Sequence, residues 1–173
     1  MGYTSDDKNT MTKRTTSGFS LIELLIVVSI ILIIAAIAIP GLLKARIAAN
    51  QASAVEATRT ILTAESSYQT AFGVYAPTIL ALGSAAPCPA GTTPTAAQFC
   101  FLDSTLANAT TPATGRSGYY FSYTMGGGGN VYTINADAIA QGQSGDMHYF
   151  ADQSQVIRYN PAAPASATDP AIQ

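Results

Sequence analysis

The stretch GFSLIELLIVV, Gly18 to Val28, decides how the rest of the chain is read. It opens an apolar run and yet carries a carboxylate, Glu23, five positions in. From Leu24 to Leu43 no side chain is charged. That is about 20 residues and about 30 Å of helix, the thickness of a bilayer's hydrocarbon core. An ionised group inside such a segment is costly unless something pairs with it. Lys13 and Arg14 precede the run and Lys44 and Arg46 follow it, so the basic flanks do not set an orientation.

Three readings compete for the run. A secretory signal with cleavage after Ala36-Ile37-Ala38 releases a soluble chain starting at Ile39, but its core is long and Glu23 interrupts it. A plain single-pass anchor lets Glu23 reach the interface, but leaves the basic, Ser/Thr-rich stretch TKRTTSG unexplained. The third reading places a peptidase cut between Gly18 and Phe19. Phe19 then carries a positive amine, and Glu23 lies four residues on, one turn away on the same helix face. It also sits at the positive end of the helix dipole. In an assembly, the amine of one chain and the Glu23 of a neighbour neutralise each other within an apolar bundle. Desolvation offsets most of that attraction, so the pair sets register more than stability.

The segment GFSLIELLIVVSIILIIAAIAIPGLLKAR resembles the N-terminal signature of type IV pilins and pseudopilins. The resemblance runs from Lys13 to about Arg46 and covers only the N-terminal helix. It implies that Gly18 precedes the prepilin-peptidase cut, that Phe19 becomes the N-methylated first residue, and that Glu23 guides assembly. It further implies an α+β fold, a long N-terminal helix packed on a four-stranded antiparallel sheet. The leader, residues 1–18, is long, and a start at Met11 leaves MTKRTTSG.

The helix is expected over 19–70, about 75–80 Å if continuous. Pro40-Gly41 interrupts it, because proline removes a hydrogen bond and collides with the preceding turn, so a bend belongs at Pro40. The resemblance implies that Leu32–Pro40 loses helical order in a filament. Beyond Pro40, Ile47, Ala54, Val55, Ile61, Leu62 and Tyr68 recur at helical spacing, with Arg46, Glu56, Arg59 and Glu65 among polar neighbours. That half lays its apolar stripe on a sheet.

The head is expected over 71–160. Residues 71–117 read as a Pro- and Gly-rich connection with short helical turns near Ile79–Leu82 and Ser104–Ala107. Strands are expected at 119–125 and 130–137 about Gly126–Gly129, and at 147–152 and 155–160 about Gln153-Ser154. The tail, 161–173, lacks the apolar content to fold and is expected to be mobile.

Other features point to stability before chemistry. Cys88 and Cys100 are the only cysteines, and with an export signal upstream they read as a disulfide worth about 3 kcal/mol. Asn108-Ala109-Thr110 is a glycosylation sequon, more often chance in bacterial export. Tyr120, Tyr132, Tyr149 and Tyr159 read as strand packing rather than as a binding stripe. Asp137, Asp146 and Asp152 match no calcium pattern, and His148 stands apart, so neither metal nor cofactor is expected. Catalytic triads, phosphate loops and dinucleotide motifs are missing from the sequence, and no enzyme is expected.

With a net charge of −2, the composition offers no basic footprint for nucleic acid. The expected function is a type IV pilus subunit, anchored in the inner membrane before assembly and displayed in an extracellular filament after it. Its expected partners are copies of itself, the prepilin peptidase and methylase, and the pilus assembly machinery. A pseudopilin of type II secretion, a DNA-uptake filament subunit and a non-polymerising membrane-anchored binding domain are the alternatives. If the third reading holds, intact and N-terminal peptide masses find a mature chain that begins at methylated Phe19. A chain beginning at Ile39 returns the secretory signal to first place.

Overall fold

The structure, a computed structural model, describes residues 18–172. The leader expected over 1–18, with both candidate start methionines and with Lys13 and Arg14, therefore lies outside the described residues except for Gly18. The chain divides into two compact units, the first ending at Pro40 and the second beginning at Gly41.

Helix α1 runs Leu21–Phe72. Its first part is crowded with Ile and Val, residues that are mediocre helix formers in water. In hydrocarbon the balance changes, since only a helix satisfies every backbone group within one segment. Ser29, the hydroxyl within this part, is satisfied too: its Oγ donates to the Leu25 carbonyl at 2.7 Å. The expected interruption at Pro40 does not end the helix, which stays helical through Pro40 and Gly41. Proline forfeits one hydrogen bond, and the bonds on either side suffice to carry the helix across.

The later part of α1 is rich in Ala, Ser and Thr. The hydroxyls of Thr58, Thr60, Thr63, Ser67 and Thr70 each donate to the carbonyl four residues back, which keeps these residues helical. The chain leaves the helix through Gly73, whose φ of +77° suits a residue without Cβ.

Four strands follow in an antiparallel meander: β1 Tyr119–Gly126, β2 Val131–Ala138, β3 His148–Asp152 and β4 Arg158–Asn160, in that spatial order. Within the head, Ala54, Ile61, Leu62, Ala64 and Tyr68 of α1 share one core with Tyr119 and Phe121 of β1, Tyr132, Ile134 and Ala136 of β2, and Tyr149 and Ala151 of β3. The alternation along each strand sends these side chains to a single face. The tyrosines expected as packing divide accordingly. Tyr132 and Tyr149 are core, Tyr159 packs against its margin, and Tyr120 faces the other way.

The glycines at 126–129 serve conformation. Gly127, Gly128 and Gly129 all have positive φ, and the Gly129 carbonyl accepts the Tyr75 amide at 2.9 Å, pinning the loop after α1 to the β1–β2 turn. The last strand is shorter than expected. Residues 155–157 belong to the turn, where Gln155 has φ +60° and its amide donates to the Asp152 carbonyl.

The connection 73–118 is organised by two one-turn helices, α2 Ile79–Leu82 and α3 Ser104–Ala107, at the expected places. Thr78 and Asp103 cap them, each accepting from a backbone amide three residues on. Cys88 and Cys100 are bonded, with Cα atoms 5.9 Å apart. The stapled loop also has anchors of its own: the Phe99 amide donates to the Ala81 carbonyl, and the Phe99 ring meets Tyr68 edge-on with centroids 5.5 Å apart.

Over residues 161–172 the segment expected to be mobile is hydrogen-bonded to the head. The Tyr159 amide donates to the Pro170 carbonyl at 3.0 Å, and the Ile172 amide to the Ile157 carbonyl at 2.8 Å, so the chain end lines β4. Asp169 holds the turn, with Oδ2 accepting from the Ser166 hydroxyl and amide and Oδ1 from Asn160 Nδ2. The Ser166 hydroxyl and amide hold the Asp169 pKa below its ordinary value. Apolar content misjudged this segment because hydrogen bonds, with Ala165 and Ile172 as small plugs, fasten it.

Reducing the Cys88–Cys100 bond is expected to raise amide exchange in the segment between the cysteines. The sheet should be unchanged, because Phe99 and the backbone bonds to Ala81 and Leu82 hold the loop's base. Exchange measured with and without reductant checks this.

Candidate functional site

Two places in the chain carry side chains that ordinary folding does not explain. The first is the entry to α1. Gly18, Phe19 and Ser20 precede the helix, Phe19 is 78% exposed, and Glu23 lies in the first turn. The three ion pairs among the described residues all lie elsewhere, so nothing described neutralises Glu23. Around and behind it the large apolar side chains of Leu21 to Leu43 are bare, from 81% at Leu21 down to 44% at Val28. A contiguous apolar surface of this length is not stable against water and requires lipid or protein around it. By length and composition the segment is able to cross a membrane.

The second place is within the head, at Glu65. The sequence set this residue among polar neighbours on an exposed face; the structure buries it completely. Its Oε2 accepts the Ala76 amide at 2.9 Å, and the Tyr123 hydroxyl donates to the Ala76 carbonyl at 2.6 Å. Both backbone groups of one buried residue are thus held by side chains, one from α1 and one from β1. Ala76 lies in no helix or strand, so neither group has a ladder partner. Glu65 Oε1 has no partner.

Burial pushes the Glu65 pKa up from 4.5, against the opposing pull of the Ala76 amide and the Tyr123 hydroxyl. The titratable groups around it are phenols. Burial first, and then Glu65 itself, raises the pKa of Tyr68, Tyr123 and Tyr132. No cation among the described residues forms an ion pair with Glu65. The signal that sequence reasoning missed is spacing: Glu65 lies among Ile61, Leu62, Ala64 and Tyr68, on the buried stripe.

The remaining acidic residues do not converge. Asp137 pairs with His148 across β2 and β3, with Nδ1 and Oδ1 2.6 Å apart and both side chains about seven-eighths buried, at 13% and 14% exposure. Asp152 takes the Ser154 amide in the β3–β4 turn, and Asp146 lies in the loop before β3. No group of three or more His, Cys, Asp or Glu among the described residues is placed to hold a metal ion. The Asn108 side-chain amide donates to the Ser104 and Ala85 carbonyls, so the sequon asparagine is engaged in ending α3.

Residues 13–39 match the family model described as the prokaryotic N-terminal methylation motif, the type IV prepilin leader signature. The match covers the leader's end and the apolar half of α1, not the head. No curated protein and no solved structure matches the chain. Motif and helix together suggest a type IV pilin-like or pseudopilin protein: the motif implies processing by a prepilin peptidase and assembly into pilus-like filaments, and the apolar helix fits membrane anchoring before assembly.

The raised Glu65 pKa gives the head a pH dependence of definite sign. Its contribution is complete below the unfolded value of 4.5 and is lost as the pH rises through the folded value. Glu65→Gln keeps an acceptor for Ala76 and removes the ionisation. In denaturation of the full chain in detergent it should match the parent below pH 4.5 and exceed it at higher pH. Glu65→Leu leaves the Ala76 amide unsatisfied and should cost about 1–3 kcal/mol at low pH.

Proposed function

We propose that this protein is the structural subunit of a type IV pilus, held in the inner membrane by the first part of α1 before assembly and displayed on the cell surface afterwards. The observation that carries the reading is the bare apolar face from Leu21 to Leu43, opened by an unneutralised Glu23 directly after the Gly18-Phe19 junction. A membrane covers that face before assembly, and the same faces of neighbouring copies cover it in the filament.

In this reading prepilin peptidase cuts after Gly18 and methylates the amine of Phe19. That amine then serves as the partner that Glu23 of an adjacent copy lacks. Mispairing leaves a charge in hydrocarbon, so the correct axial step is selected by its penalty against alternatives. Pro40 is where the helix yields if assembly requires it, since its nitrogen carries no hydrogen to donate. The head, built on its own core, contributes no catalytic group to this role. The Asp137–His148 pair has no nucleophile hydrogen-bonded to it among the described residues.

The pseudopilin alternative shares the motif and therefore the helix. What separates the two is the location of the chain. The Thr/Ser/Ala-rich, weakly charged exterior and the stapled loop suit an exposed fibre, whose surface tolerates change.

Glu23→Ala should insert into membranes as well as the parent and yet lower filament yield severely. Shearing of surface appendages, with this chain quantified in the sheared fraction and in membranes, reads both effects. Normal filaments from the variant refute the register role. A parent chain confined to the envelope, with enzyme secretion lost on its deletion, selects the pseudopilin.

A further inference from the structure

At the base of the head lies an open groove of about 640 Å³, lined by Leu43, Arg46 and Asn50 of α1, by Ser117 and Gly118, and by the turn from Ala140 to Ser144. Three features separate it from an accidental depression. Its wall is built. Asn50 Nδ2 donates to the Ser144 carbonyl at 2.8 Å, and the Ser144 hydroxyl closes its own turn on the Ala140 amide and carbonyl. Gly118, at φ +76°, has no room for a Cβ, which would lie 2.8 Å from Asn50 Nδ2 and from Ser144 Cβ. Ser117, beside it, holds φ +50°, an uncommon conformation for a residue with a side chain.

The groove's charged donor, Arg46, is also uncommitted. Arg59 and Arg116 have carboxylate partners and Arg158 donates to the Asp169 carbonyl, whereas Arg46 has no partner among the described residues. No acidic residue lines the groove. Its depth is the third feature. Arg46 follows Leu43, the last residue of the uncharged run, by about 4.5 Å of helical rise. The polar zone of a bilayer leaflet is only about 5–8 Å thick, so a segment spanning up to Leu43 sets Arg46 among the headgroups.

We propose that this groove seats the phosphate of a phospholipid headgroup from the leaflet on the head's side. Arg46 supplies the charge-assisted hydrogen bonds, Ser117 and Gln143 the neutral donors, and Leu43 the apolar lip against the glycerol and upper acyl chain. A lipid is preferred to a free anion because that lip and that depth are of no use to a small ion. The seat fixes the rotation of the head about α1 at the membrane before the subunit is drawn into a polymer. The proposal rests on the membrane-spanning reading of Leu24–Leu43, and flotation of the full chain with liposomes tests that premise by itself.

The test is native mass spectrometry of the full chain in detergent, titrated with short-chain phosphatidylglycerol, with the matching diacylglycerol and with inorganic phosphate. One phosphatidylglycerol should be retained per chain and no diacylglycerol. Arg46→Gln should weaken retention about tenfold, the loss of a charge-assisted hydrogen bond, and Gln143→Ala by a smaller factor. Lys44→Gln, one residue outside the lining, should change it less than about twofold, as expected of a screened surface charge. All three variants should float with liposomes like the parent. Equal losses from Lys44→Gln and Arg46→Gln reduce the effect to surface charge and overturn the groove. Saturation by inorganic phosphate that displaces the lipid overturns the lipid assignment. A parent chain that fails to float removes the membrane premise and the proposal with it.

Discussion

The bare apolar face of Leu21 to Leu43 is the constraint on which the rest of this molecule depends. Nothing among the described residues covers it, and water does not tolerate it. An apolar environment must therefore come from outside the chain; in the proposed function it is first lipid and then other copies. Because hydrocarbon is indifferent to rotation and axial slip, a polar mark is needed to choose among arrangements. In the proposed filament Glu23, at the first turn, serves as that mark through its cost in the wrong register.

The head meets the opposite problem. It must fold in water around one face of the same helix. The core residues spaced along α1 from Ala54 to Tyr68 provide a rigid wall, and the meander supplies the other. The irregular segments are fastened by hydrogen bonds at a few points: Glu65 and Tyr123 on Ala76, Asp169 on Ser166 and Asn160, the disulfide across 88–100. Such point fastenings hold long loops to a small sheet without enlarging the core. They leave a Ser/Thr-rich exterior free to face solvent.

The buried Glu65 shows what that economy costs. One oxygen of this carboxyl caps a stranded amide, the other has no partner, and burial raises its pKa because the charged form is the costlier one to bury. The same arrangement ties the exit of α1 to β1 through a single residue. The loop and the sheet therefore share one anchor, the backbone of Ala76.

The sequence by itself determined what depends on local pattern. The uncharged run with one early carboxylate defined the membrane-capable helix and the leader motif, and alternation of Tyr, Phe and Ile defined the strands to within a residue or so on β1, β2 and β3. Even the one-turn helices near Ile79–Leu82 and Ser104–Ala107 were legible, although their caps, Thr78 and Asp103, emerged only in the structure. What remained was set by contacts between residues distant in the chain. The burial of Glu65 was decided by a backbone amide eleven residues later and by a tyrosine on β1, and the ordering of the tail by Asp169 and the open side of β4. The Asp137–His148 pair and the Arg46 groove likewise exist only once strand register and helix docking bring separate segments together. Hydrophobic periodicity encodes which face is buried. It carries no information about which polar group on that face will find a partner, because that partner is chosen by the fold.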